Sequence, residues 1–452
     1  MDKKRQGCLL CLRKSTLLLF GFAAFLSCSA RADSGEIASP WREYWRNRRT
    51  ECNAMIERIR KSDASVVLKD GTGKALADRS CRIRQLSSDF AWGCNGLCLG
   101  QLGASNALYE AKLSEFFNMV TTTFCPGVME PKKRHYRFAE GSGEIWRRPP
   151  SDRVLRFAHA RGMRMKGQPL VCDRWHPDWA KGQTKEEAEA YYRDWFRRVA
   201  DRYGKRVWYF DVVNEAFDAH WRTPDFPLYR RDTTLSFVDW SFSEAEKIFP
   251  RECVLGINMG IAATDWGAHG KRYFDLCARI LSKGIRLDAI GFQFHLFNKK
   301  EGRALVQLKK WHPDMLRSSY EEFSKLARPL FINEITIPST ILPGDAGREL
   351  QAEIAEDLYR FWFSRPEIHG VTWWNLCDGA AWEREDEVKG ALLDECMGEK
   401  PVYKALRRLI AQEWRTSLSA RTDADGRVVF RGFRGAYEAD FGDGIVVRFE
   451  VH

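Results

Sequence analysis

Val207-Trp208-Tyr209-Phe210-Asp211-Val212-Val213-Asn214-Glu215-Ala216 is an almost unbroken apolar run that ends on a polar pair. β-Branched and aromatic residues in such a run indicate a strand covered on both faces, as in a parallel sheet wrapped by helices. The same texture recurs at Phe90–Gly93, Met119–Thr122, Met163–Val171, Val254–Asn258, Asp288–His295, Pro329–Glu334 and Gly370–Asn375. Between these strands, stretches such as 184–203, 265–283 and 317–327 have helical periodicity. Repeated β-then-α units over residues 88–414 predict an α/β fold, a (β/α)8 TIM barrel. An open doubly wound sheet is the alternative, but no Gly-x-Gly-x-x-Gly follows a strand, which argues against a dinucleotide fold.

The flanks differ in character. Residues 33–87 read as a helix over 40–62, with Trp41 and Trp45 on its apolar face. A β-hairpin follows, made of Ser65–Leu68 and Cys81–Leu86 around Lys69-Asp70-Gly71-Thr72-Gly73. Residues 415–452 hold short strands at Ser417–Ala420, Val428–Phe430 and Val446–Val451. A small β module built from both ends of the chain, bracing the barrel, is expected.

Residues 1–32 read as a signal peptide: a basic start, the apolar core Leu17–Leu26 and the cleavage pattern Ala30-Arg31-Ala32. The expected product is secreted, periplasmic or displayed at the cell surface, with no stable membrane span after cleavage; a retained anchor or a lipid on Cys28 is the alternative. The chain has 452 residues and a formal charge of +11, and nearly half of that surplus lies in Lys3, Lys4, Arg5, Arg13, Lys14 and Arg31, which face Asp2 alone. The remainder is scattered and accompanies no nucleic-acid motif, so nucleic acid is excluded as a partner. Of 13 cysteines, ten lie beyond this segment, and none forms a paired C-x-x-C pattern for structural zinc. Their disulfide pairing stays open. Aromatics at 13%, with 17 Trp, exceed what a core needs and suit a cleft that stacks flat ligands such as sugars.

In a barrel of this kind the active site lies at the C-terminal ends of the strands. Glu215 closes the fourth strand and Glu334 the seventh. Ionised groups after buried strands are costly unless they have a task or a partner. Two carboxyl groups across a barrel mouth match glycoside hydrolysis, one as proton donor and one as nucleophile or base. The neighbouring strand-end groups Asn214, Gln293, His295 and Asn258 make a poor metal set, so no metal and no cofactor is expected.

Asp211-Val212-Val213-Asn214-Glu215-Ala216 resembles the acid/base strand of glycoside hydrolase family 10, the endo-β-1,4-xylanases. Phe331-Ile332-Asn333-Glu334-Ile335-Thr336 is similar to its nucleophile strand and Gln293-Phe294-His295 to its sixth strand. Phe117–Thr121, Thr372–Asp378 with Trp382, and the closing segment Leu392-Leu393-Asp394 with Lys400–Leu406 follow in the family's order. The resemblance implies Glu215 as acid/base and Glu334 as nucleophile of a retaining mechanism. It implies Asn214, Gln293 and His295 as sugar-binding or nucleophile-holding groups, and Trp374 and Trp382 as the roof of the cleft. A monomer acting on a xylan-like β-glycan follows.

The chain departs from the family on the sugar side. The Glu-Asn-x-x-Lys-Trp run after the second strand is missing. On the third strand Gln168 and Asp173 stand where the family has histidines, and Cys172 where it has tryptophan. Gln168 and Asp173 are still expected to line the substrate site. His176, His220 and Trp221 are further cleft candidates. A related β-glycosidase acting on another polysaccharide, or a barrel that binds glycan without cleaving it, is the alternative.

Overall fold

The computed structural model describes residues 36–442 and 444–452, and does not describe the side chains of His220, Trp221, Ala263, Glu383 and Arg384. The signal-like segment, its cleavage site and Cys28 lie outside the described residues. In chain order the strands are β1 (Lys61–Val67), β2 (Ser80–Gln85), β3 (Ala91–Asn95), β4 (Met119–Thr123), β5 (Arg164–Gln168), β6 (Tyr209–Asn214), β7 (Val254–Met259), β8 (Ala289–His295), β9 (Leu330–Thr336), β10 (Ile368–Trp373), β11 (Ser417–Arg421), β12 (Arg427–Phe433), β13 (Gly435–Asp440) and β14 (Val446–Val451). β3 to β10 pair in parallel, each with its successor, and β10 returns to β3, closing the expected eight-stranded barrel. Helices such as Lys185–Tyr203, Ala268–Ser282 and Gly344–Phe363 fill the connections.

The barrel interior is layered. Ala91, Met119, Tyr209, Ala289 and Phe331 form a small apolar cluster of buried side chains. Lys166, Asp211 and Asn333 are buried polar residues of three barrel strands. Room for them is made by Gly291, where a Cβ would lie 2.1 Å from Asn333 Nδ2. The side chains at the barrel mouth are then set in part by irregularities in the pairing. β6 slips against β7 between Asp211 and Val213, and β9 slips against β8 so that Phe292 faces Ile332 while Gln293 faces Glu334. A bulge breaks the alternation of a strand. Asp211 and Asn214, three residues apart, therefore both serve the interior, as do the adjacent Asn333 and Glu334.

The helix Ser39–Arg60 docks on the barrel with Trp41 and Trp45 fully buried, and Trp41 Nε1 donates to Asp357 Oδ2 at 2.9 Å. The C-terminal segment holds four strands, including Gly435–Asp440, which the sequence reading did not include, and the expected N-terminal hairpin does not form. β1 pairs with β12, whereas β2 lies between β11 and β13 in a separate four-stranded sheet ending in β14. The two strands share a core instead of an edge: Val66 and Leu68 pack in one cluster with Ile83, Val428, Phe430 and Tyr437. The alternating pattern of each strand favours this face-to-face packing, which buries both apolar sides. Of the ten cysteines among the described residues, eight are buried as free thiols. No helix among the described residues is long and apolar enough to cross a membrane.

Candidate active site

Glu334 sits inside β9, 4% exposed. Three N–H donors converge on it. Asn258 Nδ2 donates to Oε1 at 2.7 Å, Gln168 Nε2 donates to the same oxygen, and His295 Nε2 lies 3.1 Å from Oε2. This is the complement of an anion. Since a carboxylate only accepts, the imidazole carries its proton on Nε2. Nδ1 then accepts from the Thr336 hydroxyl at 2.8 Å. Phe297 stacks on the His295 ring with centroids 4.6 Å apart, and Trp374 meets it edge-on at 5.8 Å.

Gln168 is itself held in one orientation. Its Oε1 accepts from Lys166 Nζ at 3.0 Å, which leaves Nε2 to face Glu334. Lys166 also donates to Asp211 Oδ2, and both members of that ion pair are buried. Burial pushes the Asp211 carboxyl up to about 6, with the Lys166 ammonium working in the opposite direction. Asn333 Nδ2 reaches Asp211 Oδ1 and Asn258 Oδ1, each at 3.3 Å.

Glu215 follows β6 directly and adopts the left-handed region, φ +53°, which costs a residue with a side chain about 1–2 kcal/mol. Its carboxylate is anchored at both oxygens. Gln293 Nε2 donates to Oε1 at 2.9 Å, and Arg222 Nη1 donates to Oε2 at 2.8 Å. Asn214 Oδ1 bridges the two carboxylates: it accepts from Gln293 at 3.3 Å and from Asn258 at 2.8 Å, the amide that also holds Glu334. The two glutamates are thus the ends of one hydrogen-bonded chain across the barrel mouth.

Asp173 lies at this face with both oxygens engaged, by Arg222 Nη2 at 3.0 Å and by the Thr223 hydroxyl. Trp374 is half-buried and donates to Glu385 Oε1 at 3.3 Å, while Trp382 remains 40% exposed above the same loop. Glu385 ties that loop down, accepting also from Asn375 at 3.0 Å and from the buried Arg147 at 3.2 Å. His176 has a different environment. It is 7% exposed, with Nε2 3.1 Å from the Ala180 carbonyl and Nδ1 3.2 Å from Tyr192 Oη. The side chains of His220 and Trp221 are outside the described set.

These contacts make His176 a packing residue. Burial pushes its imidazole down from the ordinary range. An unfolded histidine takes up its proton near pH 6.5, and the folded one does so only at lower pH. Stability is therefore lost as pH falls below about 6.5. Urea unfolding at pH 7 and pH 5 should show this loss, and His176→Gln should reduce the difference while costing about 1–3 kcal/mol at pH 7. An unchanged pH dependence in that variant would refute the assignment.

Sequence reading alone missed Arg222, Lys166, Asp211, Thr336 and Glu385. Lys166 and Asp211 carried a signal, opposite charges within two successive barrel strands whose only other charge is Arg164 at the start of β5. Arg222, seven residues beyond Glu215 in a short connecting helix, carried none.

The family model for glycosyl hydrolase family 10 matches residues 95–409. Endo-1,4-beta-xylanase B of Thermotoga neapolitana is 23% identical over 295 residues, 63% of this chain and 78% of that protein. Anti-sigma-I factor RsgI6 of Acetivibrio thermocellus is 20% identical over 393 residues, 86% of this chain but less than half (46%) of its own length. Xylanase 10B from Thermotoga petrophila, solved in complex with xylobiose, superposes with a TM-score of 0.59 at 22% identity, over 72% of this chain and 95% of that one. The structural match carries the barrel fold.

Proposed function

The chain belongs to glycosyl hydrolase family 10 and is a glycoside hydrolase; on that premise we propose that it is exported and cleaves internal β-1,4 linkages of xylan, or of a closely related β-glycan, with retention. The observation that carries this reading is the pair of glutamates joined through Gln293, Asn214 and Asn258 at the barrel mouth. A retaining pair needs its carboxyl groups about 5–5.5 Å apart, and the bridge supports a close pair.

In the first step Glu215 gives its proton to the glycosidic oxygen as the C–O bond breaks, and Glu334 forms an ester at the anomeric carbon. In the second, Glu215 takes a proton from water, whose oxygen displaces Glu334. His295, Gln168 and Asn258 aim Glu334 along the line of attack. Asn214 and Gln293 have amide donors and acceptors suited to sugar hydroxyls. Trp374 and Trp382 offer apolar faces to sugar C–H groups. The xylobiose complex of the Thermotoga petrophila enzyme supports a xylan-type substrate. The signal-like N-terminus supports export, and a monomer suffices because every residue of the site comes from one barrel.

Reducing-sugar release from xylan, arabinoxylan, glucuronoxylan, mixed-linkage glucan and mannan tests the reading. Cleavage of at least one xylan, faster than of glucan or mannan, is expected. Turnover of mannan or glucan alone would move the substrate, and binding of xylan without turnover would make the barrel a glycan-binding module.

A further inference from the structure

We infer that Arg222 is the positioning residue of the acid/base glutamate, a guanidinium that moves between Glu215 and a second seat as the charge on Glu215 changes. The inference rests on the retaining mechanism proposed above. Arg222 lies among three carboxylates: Glu215 Oε2 at 2.8 Å, Asp173 Oδ1 at 3.0 Å and Asp218 Oδ2 at 3.4 Å. It is 16% exposed, and these neighbours hold it cationic against the cost of burial. Asp173, 2% exposed, is fixed in turn by the Thr223 hydroxyl.

With Gln293 on Oε1 and Arg222 on Oε2, each oxygen of Glu215 keeps one lone pair, but a protonated Glu215 is neutral and no longer matches the guanidinium beside it. When Glu215 takes up the proton it needs as an acid, the ion pair with Arg222 loses its attraction, and Arg222 has two other carboxylates to turn to. Turned away from Glu215 it keeps Asp173 and Asp218, so leaving strands no buried charge. When the proton passes to the glycosidic oxygen, the carboxylate that forms is again the guanidinium's best partner. Arg222 then stabilises the charge that the proton transfer leaves behind and holds Glu215 ready to take a proton from water in the second step. Asp173 is the seat of this device, and Asp218 completes it.

The test uses leaving-group dependence. Departure of a dinitrophenolate from dinitrophenyl β-xylobioside needs no proton, whereas cleavage of xylotetraose does. Each variant is assayed on both at its own pH optimum, with a thermal melt as a check on folding. Arg222→Gln is expected to lower the ratio of kcat/KM on xylotetraose to that on the aryl glycoside by at least about tenfold, a fraction of what a general acid contributes. Arg222→Lys, which keeps the charge, should recover most of that ratio. Asp173→Asn, which weakens the second seat, should fall between. An equal loss on both substrates in Arg222→Gln would reduce Arg222 to a structural residue, and wild-type behaviour on both would also overturn the inference. A wild type that turns over neither substrate would bring down the retaining reading, and this inference with it.

Discussion

Glu334→Gln is expected to lower turnover of xylan by at least about ten-thousand-fold, the scale on which loss of a nucleophile acts, while leaving the fold intact. The amide oxygen can keep the two donors Asn258 and Gln168 on one side. The amide N–H2 then faces His295 Nε2, and the imidazole can answer by moving its proton to Nδ1, where the Thr336 oxygen accepts it. Each side-chain partner of the carboxylate thus keeps a hydrogen bond to residue 334, so the loss is chemical. Azide makes the assignment sharper. In Glu334→Gly, azide enters the space of the missing carboxylate, opposite the leaving group, and a single inversion on an activated aryl xyloside gives the α-glycosyl azide. In Glu215→Gly, Glu334 still forms the ester, azide arrives from the other face, and the β-azide results. Product anomers read by NMR check both roles at once. A β-azide from Glu334→Gly would exchange the two assignments.

The contrast between the two carboxylates follows from their environments. Glu334 is buried under three N–H donors that fix it, as the proposed nucleophile requires. Glu215 is more open, itself in the left-handed region and paired to the Arg222 guanidinium. On the proposed mechanism, this contrast lets one carboxylate stay fixed while the other changes its charge, the division of labour that double displacement requires.

The barrel was legible because its strands are covered on both faces and read as apolar runs; Glu215 falls where such a run stops, whereas Glu334, expected to close its strand, lies two residues before the end of β9. What the sequence could not reveal is backbone parity. Strict alternation would point Asn333 and Glu334 to opposite faces; the bulge in β9 brings both inward, and the bulge in β6 does the same for Asp211 and Asn214. Pairing of the terminal strands was hidden for a related reason. β1 and β2 look like a hairpin from their separation in the chain, yet each finds its partner more than 300 residues away. Arg222 was hidden because a basic residue on a short helix looks like any solvated cation until the loop closes over Glu215. The Lys166–Asp211 pair could have been read, since a lone lysine and a lone aspartate in neighbouring buried strands need one another.

That pair supports the second large effect. Lys166→Met is expected to cost about 3–5 kcal/mol of stability, the usual result of leaving one member of a buried ion pair alone. Asp211 already titrates up at about 6 because of burial, against about 3.9 when unfolded. A carboxyl raised on folding is fully stabilising only below its unfolded value, and its contribution is lost as pH rises through the folded one. Removing Lys166 raises that folded value further, so the variant should lose stability most steeply between about pH 4 and neutrality. Adding Asp211→Asn removes the orphaned charge and should recover most of the loss, as measured by urea unfolding at pH 5 and pH 7. Activity should not recover with it. Without Lys166, nothing holds Oε1 of Gln168 in place, and the amide is free to turn its oxygen towards Glu334 and lose the donor that aims the nucleophile. The double variant should therefore be folded yet slower by about a hundredfold, as expected for a misaligned reacting group. Recovery of stability and activity together would show that Lys166 serves the fold alone, and that Gln168 takes its orientation from Glu334 instead of imposing one upon it.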